Sequence, residues 1–277
     1  MSETSKIASV TIKKINLEHL ISADDVLAVE EPLEIQLQSG DETTSSIAVT
    51  MRTPGNDYEL AAGFLFTEGI LKNGSQIKSY QIAESENKIL IILNDNEIPS
   101  LKSSERNFYT TSSCGVCGKS SIEAIKTKSQ FDIHRDVLQV ETHVIQQLDK
   151  ELLKQQAVFS QTGGLHASAL FDVQGNFISL REDVGRHNAL DKLIGNAFLN
   201  DQLPLSNKIL LLSGRASFEL IQKASMAGIP IVASVGAPSS LAVSLAKETG
   251  ITLIGFLRNN RFNIYCGEDR IISHAIA

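Results

Sequence analysis

The sequence predicts an α/β protein, with a three-layer α/β/α sheet domain over residues 113–277 and a small α+β module over residues 1–112 before it. Three observations lead to this prediction. From residue 165 onward, short apolar runs alternate with helical patterns of about ten residues, which is typical of strands covered by helices. Before residue 112, most segments are strand-like and one is helical. At 277 residues and 42% hydrophobic, the chain is long enough to bury a substantial core.

Composition and charge exclude several classes of function. The net charge of -7 argues against a nucleic-acid polymer as partner. No apolar run approaches the roughly 20 residues that a membrane span needs. The start, Met1-Ser2-Glu3-Thr4, lacks the basic and apolar regions of a signal peptide, and three cysteines do not make a disulfide framework. We therefore expect a cytoplasmic protein that neither enters a membrane nor binds a nucleic-acid polymer.

The first module reads as strands around one helix. The turn Pro54-Gly55 precedes a helix over Asp57–Thr67, for which Asn56 and Glu59 resemble a capping box. The segment 52–57 is interpreted as a turn, with the alternative that Arg52 and Asp57 face a functional site. The predicted strands are 8–15, 34–37, 46–51, 79–83 and 88–93.

The second part alternates helices and strands and is expected to form a mostly parallel sheet covered on both faces. Helices are predicted at 120–126 and 140–156. The elements that follow are a hairpin (165–171 and 177–180), a helix (186–199), a strand (208–212), a helix (217–227), a strand (229–233), a helix (239–249) and a strand (251–256). This order is that of the cytidine deaminase-like fold. Zinc deaminases carry H-x-E and P-C-x-x-C at two helix starts. The corresponding segments 186–189 and 213–216 read RHNA and SGRA, so we expect no catalytic zinc.

A CxxC motif, Cys114-Gly115-Val116-Cys117-Gly118, follows a run of four hydroxyl residues. Two thiols at this spacing can form a disulfide, bind a soft metal, or carry sulfur as a persulfide on one thiol. Zinc would need further ligands, and only Cys266 and scattered histidines are available. A thioredoxin-like motif would follow a strand directly. These two interpretations are therefore disfavoured.

Four polar clusters fall where strands of such a sheet end and helices begin, which is where ligands bind in open α/β sheets. Each has a plain alternative as a helix cap or a turn, but together they predict a pocket for a phosphorylated ligand. The candidate ligand residues are Thr162, Gly163, Gly164, His166, Asp183, Arg186, His187, Ser213, Gly214, Arg215, Phe256, Leu257, Arg258, Asn259, Asn260 and Arg261.

From about residue 31 to residue 265, the chain resembles the formate dehydrogenase accessory sulfurtransferases, the FdhD family. The motifs that carry the resemblance appear in the family's order: RTPGND at 52–57, CGVCG at 114–118, TGGLH at 162–166, EDVGRHNA at 182–189 and SGRAS at 213–217.

The resemblance implies a cytoplasmic sulfur carrier and homodimer. Such a protein takes sulfur from a cysteine desulfurase and passes it to the molybdenum bis(molybdopterin guanine dinucleotide) cofactor, which then enters formate dehydrogenase. By the same resemblance, Cys114 carries the persulfide, Cys117 assists, and residues 256–261 bind the cofactor, with guanine nucleotides as partial mimics. Cys266 has no counterpart in the family pattern. The alternative is a chaperone that binds the cofactor and its target enzyme without transferring sulfur.

Overall fold

The computed structural model describes residues 5–17, 19–39, 44–83, 87–95, 97, 99, 127–133 and 138–273. Both CxxC thiols, Cys114 and Cys117, and the predicted helix 120–126 lie outside the described residues. Within the described part of the chain, no helix is both long and apolar enough to cross a membrane.

The chain begins with an antiparallel hairpin of two ten-residue strands, β1 (Ile7–Asn16) and β2 (His19–Ala28). Sequence analysis predicted β1 but missed β2. Most β2 side chains are exposed, and only a few of them alternate between apolar and polar. The pattern that marks a half-buried strand is therefore weak there.

A four-stranded sheet follows, in the order β4-β3-β6-β5. Its strands are β3 (Glu31–Gln38), β4 (Thr44–Arg52), β5 (Ile77–Ala83) and β6 (Lys88–Leu93). Helix α1 (Asp57–Thr67) lies between β4 and β5 in sequence, with the predicted bounds. The predicted capping box is wrong. Asn56 has a left-handed backbone, φ 59°, and its side chain makes no capping hydrogen bond.

The predicted helix 140–156 is also wrong, because the segment is divided into shorter elements. These are β7 (Val140–Glu141), α2 (Thr142–Ile145), α3 (Leu148–Gln155) and α4 (Ala157–Thr162). The first two residues pair in parallel with a strand near the end of the chain, β14 (Ile271–Ile272). Val140 is buried in that pairing, whereas Leu153, an apolar residue at helical spacing, is 60% exposed. Tertiary pairing thus overrides the local helical pattern.

The larger sheet has six strands in the order β13-β12-β11-β10-β8-β9. Its strands are β8 (His166–Asp172), β9 (Phe177–Asp183), β10 (Lys208–Leu212), β11 (Ile231–Ser234), β12 (Thr252–Arg258) and β13 (Arg261–Cys266). Between them run α5 (Arg186–Leu199), α6 (Phe218–Met226) and α7 (Ser240–Thr249). The predicted α/β class and element order are confirmed. The expectation of a mostly parallel sheet is wrong, since β10–β11 and β11–β12 are parallel but the other three pairings are antiparallel.

Side chains alternate along these strands and build two cores. Leu170, Leu210 and Val232 face α5 and α6, in a core that also contains the inward residues of the four-stranded sheet and of α1. Ala169, Leu211 and their neighbours face the opposite way, against α2 and α3. The six-stranded sheet is therefore the middle layer of three, as predicted.

Candidate functional site

Strand ends converge at one edge of the six-stranded sheet. Because β8 runs antiparallel to β10, its first residue, His166, lies at the edge where β10 and β11 end. Asp183, the last residue of β9, pairs with His166 in the β8–β9 ladder. The predicted clusters around residues 166, 183–187 and 213–215 thus come together at this edge.

Backbone hydrogen bonds join the loops beyond these strand ends into a continuous rim. The Ala167 amide donates to Ser213 Oγ at 2.8 Å, and the Ser213 amide donates back to the Ala167 carbonyl at 3.0 Å. The Gly236 amide donates to Gly214 O at 3.0 Å, and the Phe256 amide donates to Gly236 O at 3.1 Å. The rim therefore runs from β8 across β10 and β11 to β12.

Glycines on this rim leave room that a side chain would fill. A Cβ on Gly214 would lie 3.3 Å from Nδ1 of His166. A Cβ on Gly236 would lie 3.1 Å from the Gly214 carbonyl carbon. Because these glycines have no side chain, a ligand can approach the backbone of the rim directly, next to the start of α6. We call the space bounded by His166, Arg186, Gly214 and Gly236 the edge crevice.

His166 and Arg186 define the charge of the edge crevice. Burial, together with the nearby charges of Arg186 and His187, lowers the pKa of His166 below its ordinary value, so its imidazole is neutral at pH 7. Arg186 Nε is buried and has no hydrogen-bond partner among the described residues. An unpaired buried donor on a permanent cation is an uncommon feature and favours an anionic ligand.

His187 connects the starts of α5 and α6. Its Nε2 lies 2.9 Å from Glu219 Oε2 and 3.4 Å from Ser217 Oγ. Sequence analysis proposed His187 but missed Glu219. The available signal was an acidic residue in the first turn of a helix that starts at the same sheet edge.

Asp183 is placed at the edge, but its carboxylate points into the protein. It is 0% exposed, and it accepts hydrogen bonds from the Thr53 and Gly185 amides, from Asn188 Nδ2 and from Lys192 Nζ at 2.7 Å. With these donors in place, Asp183 fixes the turn into α5 and is itself shielded from solvent. Lys192 was not predicted from the sequence, because its position on the helix gives no sign that the side chain is buried.

The segment 52–57 supports the turn interpretation. Arg52 is 3% exposed, and its guanidinium binds both carboxylate oxygens of Asp57, at 3.1 and 3.0 Å. It also binds Glu31 and Asn87. The neighbouring Thr53 carbonyl accepts from Lys192 Nζ at 2.8 Å, so this turn is fastened to α5 rather than open to a ligand.

The cluster at 162–164 forms the end of α4. Gly163 is left-handed, φ 65°, and its amide donates to Phe159 O at 2.7 Å. The Gly164 amide donates to Thr162 Oγ1 at 3.2 Å. This is the helix-cap alternative of the sequence analysis, and a ligand role for these residues stays a prediction.

Residues 256–261 form the tip of the β12–β13 hairpin, here called the hairpin tip. Leu257 is fully buried in the core that faces α2 and α3. The Asn260 carbonyl accepts from Gln146 Nε2, and its side-chain oxygen accepts from Lys150 Nζ, both at 2.8 Å. Beyond Phe256 the hairpin tip therefore bends toward the face opposite α5. Arg258 and Arg261 are exposed on it.

The described residues on either side of the CxxC motif are each anchored by a hydrogen bond to the folded part of the chain. Before it, Glu97 accepts from Gln76 Nε2 at 2.8 Å. After it, the Thr127 amide donates to Gln222 of α6 at 3.1 Å. The third thiol, Cys266, is 8% exposed, and burial raises its pKa. Among the described residues, no three His, Cys, Asp or Glu side chains are grouped to hold a metal ion.

Comparison with known proteins supplies the family context. The family model described as FdhD/NarQ matches residues 28–272. A sulfur carrier protein FdhD from Streptomyces avermitilis is 47% identical, covering 91% of each chain. One from Mycobacterium tuberculosis is 45% identical, covering 94% of this chain and 96% of that one. A crystal structure described as a formate dehydrogenase accessory protein from Desulfotalea psychrophila superposes with a TM-score of 0.75 at 25% identity, covering 97% of this chain and 100% of the other.

Proposed function

The chain belongs to the FdhD/NarQ family, and on this basis we propose that it is a sulfur carrier that acts as a sulfurtransferase. In this proposal it accepts sulfur from a cysteine desulfurase as a persulfide on Cys114. It passes the sulfur to the molybdenum bis(molybdopterin guanine dinucleotide) cofactor, its bound substrate, before that cofactor enters formate dehydrogenase. The expected setting is the cytoplasm, and the expected assembly is a homodimer.

The proposed chemistry needs the two thiols of the CxxC motif, the desulfurase persulfide as the sulfur donor and a thiol reductant. The Cys114 thiolate attacks the outer sulfur of the desulfurase persulfide, and the desulfurase cysteine leaves as a thiolate. For delivery, the Cys117 thiolate attacks the Cys114 sulfur, a Cys114–Cys117 disulfide forms, and the sulfane sulfur leaves as hydrosulfide. A thiol reductant then restores both cysteines.

The observation that carries the proposal beyond the family relationship is the edge crevice. Its glycine rim and the unpaired Nε of Arg186 fit a ligand with phosphate groups. Arg215 is exposed on the same rim and adds a second cation. A protein of net charge -7 needs such a local concentration of positive charge to hold a polyphosphate ligand.

Persulfide loading tests the first half of the proposal. The protein is incubated with a cysteine desulfurase and cysteine, and its intact mass is then measured by mass spectrometry under non-reducing conditions. We expect a gain of one sulfur that is lost in Cys114→Ala. Cys266→Ala is the matched control and should load normally, because its thiol is buried and its pKa is raised. A gain that survives Cys114→Ala contradicts the assignment, and no gain in the unmutated protein supports the chaperone alternative.

Nucleotide affinity tests the second half. Removing one charged hydrogen-bonding partner costs about 1.5 to 3 kcal/mol, or roughly one to two decades of affinity. We therefore expect Arg186→Ala and Arg215→Ala each to weaken guanosine diphosphate binding by such a factor in calorimetry, with persulfide loading intact. Lys78→Ala removes an exposed lysine of the four-stranded sheet and serves as the charge control. Unchanged affinity in both arginine variants would show that the ligand binds elsewhere.

A further inference from the structure

A groove of about 760 Å³, here called the α3 groove, lies on the outer face of the molecule. Its walls come from α2, from α3, from the turn between β8 and β9, and from Asn260 of the hairpin tip. It is separate from the edge crevice, because α2 and α3 cover the face of the six-stranded sheet opposite α5 and α6. Its volume lies within the range of ligand sites, and the proposed function gives it no role.

The walls of the α3 groove are held in place by their own contacts. The Asp172 carboxylate accepts hydrogen bonds from the Gln174 and Asn176 amides, at 2.9 and 2.8 Å, and from Asn176 Nδ2 at 2.8 Å. Between these residues Gly175 has a left-handed backbone, φ 84°, and a Cβ there would lie 2.9 Å from Val144 Cγ1. The β8–β9 turn therefore packs directly on α2, and the groove is formed before any ligand binds.

Three exposed side chains that line the α3 groove keep unused hydrogen-bonding capacity. The carboxamides of Gln147 and Gln174 make no side-chain hydrogen bond to another residue that the structure describes. Lys150 Nζ donates to the side-chain oxygen of Asn260 at 2.8 Å, but that amide is neutral. Within the described part of the chain Lys150 forms no ion pair, so its charge is uncompensated.

The carboxylate that lines the α3 groove does not cancel this charge. Glu151 already accepts from Lys154 Nζ at 2.9 Å through one oxygen and from Gln155 Nε2 at 2.9 Å through the other. Glu151 and Lys154 therefore neutralise each other, and Lys150 sets the charge that a ligand meets.

This combination is the complement of an extended acidic peptide. A carboxamide can donate to a peptide carbonyl and accept from a peptide N–H, so Gln147 and Gln174 can bind a main chain. Lys150 supplies a charge-assisted hydrogen bond to one carboxylate. A phosphate group carries nearly two negative charges, more than one free ammonium neutralises. An apolar ligand would meet two apolar side chains, Val144 and Phe177, among mostly polar ones.

We propose that the α3 groove docks an extended segment of a partner protein that carries an aspartate or a glutamate. The carboxylate binds Lys150, and the main chain binds Gln147 on one wall and Gln174 on the other. The inference goes beyond the proposed function and does not depend on it, because neither thiol of the CxxC motif takes part. The net charge of -7 repels acidic peptides from the molecule as a whole, so such binding has to come from a local site.

Fluorescence anisotropy on the full chain tests the proposal, with a labelled ten-residue peptide of alternating glutamate and serine as the probe. We expect saturable binding that weakens about tenfold in Lys150→Ala and is restored in Lys150→Arg, because arginine keeps the charge. Gln147→Ala/Gln174→Ala should weaken binding by about threefold or more, since neutral hydrogen bonds contribute less than charged ones. Lys78→Ala, which removes an exposed lysine of the four-stranded sheet, is the charge control and should bind normally.

A second peptide, with glutamine in place of glutamate, separates carboxylate recognition from main-chain binding and should bind about tenfold more weakly. The proposal is overturned by no binding to the unmutated protein, by equal affinity in Lys150→Ala, or by equal affinity for the glutamine peptide. An equal loss in Lys78→Ala would show general charge attraction, and displacement of the peptide by guanosine diphosphate would show a nucleotide site. Either result also overturns it.

Two further measurements keep the outcomes separate. The substituted side chains in the α3 groove are exposed, so equal unfolding midpoints will show that the variants are folded. Persulfide loading on Cys114 should be the same in every variant and in the unmutated protein. Absence of loading in the unmutated protein counts against the proposed function alone, whereas the peptide affinities decide the docking site.

Discussion

The crossing of α1 and α5 gives the sharpest prediction about stability. The two helices touch through glycines, Gly63 on α1 and Gly195 on α5. A Cβ on Gly195 would lie 1.8 Å from the Glu59 carbonyl oxygen and 2.8 Å from the Gly63 amide nitrogen. We therefore expect Gly195→Ala to destabilise the protein, although alanine is the better helix former.

The magnitude follows from two opposing terms. A Cβ is not found closer than 3.0 Å to another heavy atom, so the helices must separate by 3.0 − 1.8 = 1.2 Å at this point. The obstacle is backbone, which cannot rotate away as a side chain would, so we take the upper end of the usual overpacking cost, about 3 kcal/mol. Alanine in place of glycine returns about 1 kcal/mol of helix propensity. The net loss is about 2 kcal/mol.

Thermal and urea unfolding provide the assay. A loss of about 2 kcal/mol corresponds to a fall in melting temperature of roughly 4–8 °C for a chain of this size class. Gly164→Ala is the matched control, because its Cβ would meet its nearest neighbour at an ordinary 3.7 Å. If Gly195→Ala and Gly164→Ala melt together, the close approach of the helices is not an energetic constraint and the reasoning fails.

Two further predictions concern buried charge and pH. Asp183→Ala leaves Lys192 buried without its carboxylate partner, so it should cost about 3 to 5 kcal/mol in urea unfolding, and Asp183→Ala/Lys192→Met should recover part of that loss. A double variant no better than the single one would contradict this. The lowered pKa of His166 means that the unfolded chain binds this proton more readily, so stability should fall as the pH drops below about 6.5. His166→Gln should flatten the pH dependence of the unfolding midpoint in that window, and an unchanged slope would show that other groups cause it.

Most of the fold could be predicted because the hydrophobic periodicity of the segments agrees with the positions of the turn residues between them. Helices α1 and α5 and strands β6 and β10 have the predicted bounds, and each lies between clear turn residues. The failures occurred where tertiary contacts decide. Residues 140–141 form a strand only because β14, at the far end of the chain, pairs with them. Strand β2, in the separate β1–β2 hairpin, has mostly exposed side chains and therefore lacks a full periodic signal.

The site was predictable to the extent that its residues follow strands. His166, Arg186, His187 and Gly214 stand next to apolar runs, so their convergence follows from the topology. The partners that orient them could not be found in this way. Glu219 and Lys192 lie on helix faces, where a charged residue is ordinarily solvated, and only the packing shows that one holds His187 and the other is buried against Asp183.

The anchoring of the chain after the CxxC motif bears on how sulfur could reach a ligand in the edge crevice. Thr127 binds Gln222, which lies five residues along α6 from Ser217 at the crevice, a rise of about 7.5 Å. From Thr127 the chain continues to Ser129, whose hydroxyl donates to Ser225 O, and so runs away from the crevice along α6. Cys117 precedes Thr127 by ten residues, and ten residues span at most about 35 Å. Chain length therefore permits both thiols to reach the edge crevice from this anchor.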